Sequence, residues 1–206
     1  DHPHYYRGKL GEETEVEFVD RIVGNLEAMI LREGPDTIAA FIAEPITGAS
    51  GVIVPPEGYY QKVQAVLNRY DIMFWADEVI TGFGRTGSDF GCNTMGVESP
   101  DMMTFAKQLS SAYMPISASA INREMYTAMI EQTATAGAFG HGYTYSGHPV
   151  ACAVALKVLE IYQRDSIFEK AAVTGQYMQK RLAEFTDHPL VGEVRGSGLL
   201  GAIELV

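Results

Sequence analysis

Lys107 and Asp77 are the residues whose type and position most directly suggest chemistry. The apolar run Asp71 to Ala76 (DIMFWA) leads straight into Asp77-Glu78, and the run Met102 to Ala106 (MMTFA) leads straight into Lys107. In an open α/β sheet, ligands gather outside the carboxyl ends of the strands, so both positions fall on the expected functional rim. Lys62, Lys157, Lys170 and Lys180 lie in helical stretches where a long side chain reaches water, and Lys9 is near the start of the chain. Lys107 instead closes a run of Met, Thr, Phe and Ala. Desolvation at such a place disfavours the ammonium form, which makes the amine nucleophilic and able to form a Schiff base. The plainer alternative is a lysine snorkelling out of a strand end, and the plainer alternative for Asp77 is a helix cap or the start of a turn. Taken as a pair, a carboxylate and an amine at neighbouring strand ends would hold the two poles of one aromatic cofactor. The lysine would bond an aldehyde, and the aspartate would keep a pyridine nitrogen protonated so that the ring withdraws electrons.

Other motifs compete for attention. Gly82-Phe83-Gly84-Arg85-Thr86-Gly87 and Gly196-Ser197-Gly198-Leu199-Leu200-Gly201 both match the dinucleotide pattern G-x-G-x-x-G. That pattern binds pyrophosphate only between a strand and a helix. The first match runs into Ser88-Asp89-Phe90, a poor helix start, and the second into a β-like run, so neither reads as a nucleotide site. His141 and His148 flank a Gly- and hydroxyl-rich loop, with no carboxylate or cysteine to complete a metal set, and no metal is expected. The loop could offer backbone N–H groups and hydroxyls to a phosphate or be an ordinary connector.

The elements that must position these groups are legible in outline. Val16, Val19, Val23, Leu26 and Ile30 recur at helical spacing, predicting a helix over 12–33 that Gly34-Pro35 ends. Further helices are predicted over 58–70, 149–163 and 166–186. Strands are expected over 37–43, 71–76, 101–106 and 116–121, with a Gly/Ala/Thr-rich loop over 132–147. Apolar strands alternating with helices argue for an α/β sheet with helices on both faces. A change in composition near residue 160 suggests that a smaller domain starts there.

Composition narrows the class. The 206 residues are 47% hydrophobic and 20% charged, enough to bury a core. With 15 Lys and Arg against 26 Asp and Glu the formal charge is −11, which repels phosphate backbones and anionic membranes, so neither is an expected partner. No apolar run reaches the ~18 residues of a membrane span, and the opening DHPHYYRGKL has no apolar signal core. Cys92 and Cys152 show no metal spacing. These features point to a soluble, globular, cytoplasmic protein. The chain begins with Asp1 and stops within a run read as a strand (Leu199 to Val206), so a segment of a longer protein is expected.

Four stretches together resemble one family. Ala43-Glu44-Pro45-Ile46, Ala76-Asp77-Glu78-Val79-Ile80-Thr81-Gly82-Phe83-Gly84-Arg85-Thr86-Gly87, Thr104-Phe105-Ala106-Lys107-Gln108-Leu109-Ser110-Ser111 and His141-Gly142-Tyr143-Thr144-Tyr145-Ser146-Gly147-His148-Pro149 resemble class III aminotransferases, in the family's order. The resemblance implies an α/β fold, the pyridoxal 5'-phosphate-dependent transferase fold type I. Residues 1–160 would be part of its large cofactor domain, with a mostly parallel sheet, and 161–206 the start of the small C-terminal α+β domain. It implies that Lys107 is the catalytic lysine that bonds the cofactor and shuttles the proton. By the same resemblance, Asp77 pairs with the pyridine nitrogen and Val79 packs against one face of the ring. Thr144 would reach the cofactor phosphate of the neighbouring subunit in a homodimer or higher assembly with a shared site. Glu44 lies in a family motif and receives no catalytic role.

Departures from the family pattern matter too. Family members are about twice as long, and the Gly-Ser phosphate loop, the ring-stacking aromatic and the substrate-binding arginine lie outside this segment. In the ornithine, acetylornithine and 4-aminobutyrate enzymes the Glu-Pro-Ile motif continues Gln-Gly-Glu, and that glutamate pairs with a gating arginine. Here Thr47-Gly48-Ala49 follows, which resembles the ω-amine:pyruvate branch. The expected reaction is amino transfer from a primary amine to pyruvate or another 2-oxo acid. The alternatives are an aminomutase or decarboxylating transaminase on the same scaffold, or a non-catalytic fragment.

Overall fold

The long N-terminal helix begins where its sequence supplies a cap. In the computed structural model, which describes residues 1–206, a short helical turn α1 (Tyr5–Gly8) precedes α2 (Glu15–Glu33). Thr14 Oγ1 accepts from the Glu17 N–H, and Glu17 Oε2 accepts from the Thr14 N–H at 2.9 Å, a reciprocal capping box. α2 ends at Gly34, followed by Pro35, as the stop signals predict. Its apolar row Phe18, Val19, Ile22, Val23 and Ile30 is buried against α3 (Tyr59–Arg69), which contributes Tyr60, Val63, Val66 and Leu67.

Beneath these helices lies a four-stranded sheet of β1 (Ala40–Ala43), β2 (Met73–Asp77), β3 (Met102–Phe105) and β4 (Ala118–Ile121), in that spatial order. The first three strands are parallel and β4 is antiparallel to β3. Short α4 (Gly91–Met95) lies between β2 and β3 in the chain. The register sorts side chains by face. Phe41, Ala43, Phe74, Ala76 and Met103 point into the core under α2 and α3.

The other face departs from the expectation of helices on both sides. It carries Ile42, Trp75, Asp77, Met102 and Thr104, none of them buried, and Ile42 is 56% exposed. The apolar strands keep the composition of two-sided cover, while these 206 residues cover one side only.

Three helices and a hairpin follow: α5 (Arg123–Ala136), α6 (Pro149–Arg164), α7 (Ile167–Ala183), then β5 (Val191–Ser197) and β6 (Leu200–Leu205) in an antiparallel pair. Two of these elements escaped the sequence reading. α5 is amphipathically weak and buries no residue, so its pattern carries no core face, and its last turn occupies the start of the expected 132–147 loop. β5 has an interior of Gly, Glu and Arg, which reads as turn or loop until its partner strand is considered. Position 160 lies within α6.

Ion pairs tie the hairpin back to the opposite end of the chain. Arg195 Nη1 lies 2.5 Å from both Glu193 and Glu204, and its Nε donates to the Gly51 carbonyl at 2.9 Å. His4 lies 3.0 Å from Glu193, and Arg7 pairs with Glu204. His4, Glu193 and Glu204 come close enough to resemble a metal site, but two guanidinium groups already neutralise the carboxylates.

Candidate active site

The two residues singled out by their chemistry end adjacent strands. Asp77 is the last residue of β2 and pairs in register with Thr104 of β3, and Lys107 follows Thr104 by three positions in the same rim. Asp77 Oδ1 accepts from the Val79 N–H at 3.0 Å, which fixes the carboxylate against the turn that begins there. Its Oδ2 has no hydrogen-bond partner and is reached by solvent. On the same open face Trp75 Nε1 donates to Thr104 Oγ1 at 3.3 Å. The rim therefore presents one free carboxylate oxygen, the turn residue Val79 and an amine.

Lys107 opens a 3-10 turn over Lys107–Leu109 and has φ +41°, a left-handed conformation that an L-residue adopts only when its surroundings impose it. The burial expected from its apolar run is not found: Lys107 is exposed, because the face onto which β3 delivers it is the uncovered one. Thr144 is not brought to this rim. Every residue from 131 to 150 is exposed, and the loop's hydrogen bonds are local, Ser146 N–H to the Tyr143 carbonyl and Tyr143 N–H to Ser146 Oγ, both 3.0 Å. Phe139, Tyr143 and Tyr145 are 63%, 77% and 82% exposed, an unusual density of bare aromatics on one loop.

Glu78 is the residue whose importance the sequence reading missed. It is 1% exposed, and its carboxylate accepts from Thr81 Oγ1 at 2.5 Å and from the Gly91 and Cys92 N–H groups at 2.8 and 2.7 Å. It thus ties the turn after Asp77 to the start of α4. Burial, with Glu78 nearby, pushes the Cys92 thiol far above its ordinary pKa, which leaves it unreactive. No periodicity marks a buried acid just past a strand end; only the adjacent Thr81 and Gly82 hint at a turn that needs one.

The G-x-G-x-x-G matches serve packing. The first lies in irregular turns between β2 and α4, and the second forms the tip of the β5–β6 hairpin. At Gly198, φ is +55° and a Cβ would lie 2.4 Å from the Thr86 backbone, so the two matching segments press against each other.

The model for the family described as Aminotransferase class-III matches residues 2–206. The chain belongs to the class III aminotransferases. A probable gamma-aminobutyrate transaminase 3, mitochondrial, of Oryza sativa subsp. japonica is 51% identical over 206 residues, covering 100% of this chain and 40% of that protein. Vanillin aminotransferase of Capsicum chinense is 50% identical over 204 residues, covering 99% of this chain and 44% of that one. Among solved structures, the omega transaminase from Pseudomonas jessenii in complex with PMP superposes with TM-score 0.97 at 54% identity, covering 100% of this chain and 45% of that one. The chain thus spans less than half the length of these relatives. Its α/β sheet is part of the pyridoxal-phosphate transferase fold type I, and pyridoxal phosphate is the cofactor of class III aminotransferases. The rim fits that group. The unpartnered Asp77 Oδ2 is a suitable acceptor for a protonated ring nitrogen, and the exposed Lys107 amine is free to meet an aldehyde.

Proposed function

We propose that this chain is the cofactor-lysine-bearing part of a pyridoxal-phosphate-dependent ω-aminotransferase that moves an amino group from a primary amine to pyruvate or another 2-oxo acid. The observation that carries the reading is the pairing of a free carboxylate oxygen on Asp77 with the amine of Lys107 at the ends of adjacent parallel strands. When bound, pyridoxal phosphate supplies an electron sink that stabilises negative charge on the amine-bearing carbon. Asp77 Oδ2 holds the proton on the ring nitrogen, and its Oδ1 bond to the Val79 N–H keeps the carboxylate aimed there. Val79 supplies an apolar contact to the ring face. The Lys107 amine would hold the cofactor and, when free, would be the base that moves a proton from one carbon to another.

Thr144, on its exposed aromatic loop, donates its hydroxyl to the phosphate bound by a partner subunit, so the working unit is a homodimer or larger. Residues 1–160 belong to the cofactor domain and 161–206 begin the small domain, with α6 carrying the chain from one to the other. No helix is long and apolar enough to cross a membrane. The composition supports a cytoplasmic reading, although several plant relatives are named mitochondrial or chloroplastic.

The choice of donor rests on the loop after Glu44. Its Oε2 accepts from the Gly48 N–H at 2.9 Å, and Thr47 pairs with Ile53, so the loop is ordered, yet Ala49 offers no acid. A donor without a matching carboxylate suits that loop. Product analysis of the intact enzyme with 1-phenylethylamine, putrescine, β-alanine and 4-aminobutyrate tests this. We expect the amines without a carboxylate to be preferred. Preference for 4-aminobutyrate would refute the donor assignment, and CO₂ release from a dialkyl amino acid would refute simple amino transfer.

A further inference from the structure

The turn that carries Lys107 is held in an unfavourable conformation by contacts outside the proposed chemistry. Lys107, Ser111 and Ala112 have φ of +41°, +50° and +64°, three left-handed non-glycine residues within six positions. Such a backbone relaxes unless neighbours over-determine it. Two groups grip the residue between Lys107 and the buried Leu109. Tyr162 on α6 donates its hydroxyl to the Gln108 carbonyl at 2.8 Å. Arg85 lies in the turn region after β2. With the Gln108 amide oriented by its surroundings, Oε1 accepts from Arg85 Nε at 2.8 Å and Nη2 at 2.7 Å, a two-pronged bond. Arg85 is itself held through its carbonyl, which accepts from the Leu199 N–H at 2.9 Å, and Ser110 Oγ closes the far side of the turn on the Met114 carbonyl at 2.6 Å.

We propose that Arg85 and Tyr162, acting through Gln108, are positioning residues for Lys107. They hold its backbone in the left-handed state that aims the amine at the rim shared with Asp77. The inference rests on reading Lys107 as the cofactor lysine. Arg85 and Tyr162 both act on Gln108, not on the Lys107 amine itself. Their effect is to keep the amine from wandering during the proton transfer, where a displacement of the order of 1 Å costs about a hundredfold in rate. The clamp also couples the site to the second half of the chain, since α6 supplies Tyr162 and the β5–β6 hairpin steadies Arg85.

The test uses the holoenzyme and apoenzyme of the intact protein carrying Gln108→Ala, the milder Tyr162→Phe, and Gln108→Glu, which keeps an acceptor for Arg85. In the apoenzyme, amide exchange at Leu109, Ser110 and Ser111 should speed up about tenfold or more in Gln108→Ala and Tyr162→Phe, while Gln108→Glu stays near wild type. In the holoenzyme the first two should lose about ten- to a hundredfold in kcat, with KM for the amine within about threefold, and the pH midpoint of the cofactor absorbance change should move. Gln108→Glu should restore kcat. Faster exchange with kcat and midpoint unchanged would make the clamp merely structural and overturn the proposal, as would wild-type behaviour throughout. If Gln108→Ala does not fold, the same readings on Tyr162→Phe decide. Lys107→Ala separates the underlying reading: if borohydride still fixes cofactor covalently to that variant, the assignment of Lys107 fails whatever Gln108→Ala does. Loss of fixation there, with an unchanged Gln108→Ala, overturns the clamp alone.

Discussion

Glu78 shows how one buried carboxylate can hold together the turn that follows Asp77. Three donors converge on its buried carboxylate, so Glu78→Ala strands the Thr81 hydroxyl and the Gly91 and Cys92 amides. The expected loss is about 3 kcal/mol or more in urea denaturation, with Glu78→Gln costing less because one acceptor oxygen remains. Tyr59 gives a prediction in pH. Burial raises its pKa from 10.0 to about 12, so the folded state keeps the proton over a range in which the unfolded chain releases it. Its contribution to stability is complete below pH 10 and is lost as pH rises through about 12, about 2–3 kcal/mol in all. Tyr59→Phe should flatten the fall in denaturation midpoint between those pH values. Asp77 and Lys107 were legible because a charged residue directly after an apolar run is rare enough to notice. Glu78, Gln108 and Arg85 were not, because their partners are set by turns that meet only in the folded chain.

At the level of elements, α2 and α3 were readable from the apolar rows they bury, while α5 and β5, which carry no such row, were missed. α2 and α3 show their core faces every three or four residues, whereas α5 buries nothing and β5 is held by its ladder to β6 rather than by a pattern of its own. Thr14→Ala removes the capping box of α2 and should cost about 1 kcal/mol by thermal or urea denaturation. The hairpin tip docks by close backbone approach. A Cβ at Gly175 of α7 would sit 2.7 Å from the Gly198 backbone, and one at Gly198 would sit 2.4 Å from Thr86. Gly198→Ala therefore combines a clash with a positive φ and should destabilise by about 2 kcal/mol or more. Limited proteolysis should cut first between Leu190 and Leu205 in that variant if the hairpin lifts, and elsewhere if it does not.

At the scale of the whole molecule, the uncovered sheet face and the bare 131–150 segment are two surfaces with apolar content and no partner within the chain. The shared site proposed above would account for the exposed loop around Thr144, since a C₂ interface would let each protomer complete the other's phosphate site. Mixing intact Lys107→Ala and Thr144→Ala proteins makes heterodimers with one doubly defective site and one unaltered site. Activity should rise on mixing, and activity that stays at the level of the separate variants, with heterodimers shown to form, would count against Thr144 acting across the interface. That Lys107 carries the cofactor is open to one direct measurement. The intact holoenzyme is reduced with borohydride, digested, and the peptides are weighed. The pyridoxyl mass should appear on the peptide containing Lys107 and on no peptide containing Lys9, Lys62, Lys157, Lys170 or Lys180. A pyridoxyl group fixed stoichiometrically on any of those five, with Lys107 unmodified, would contradict it.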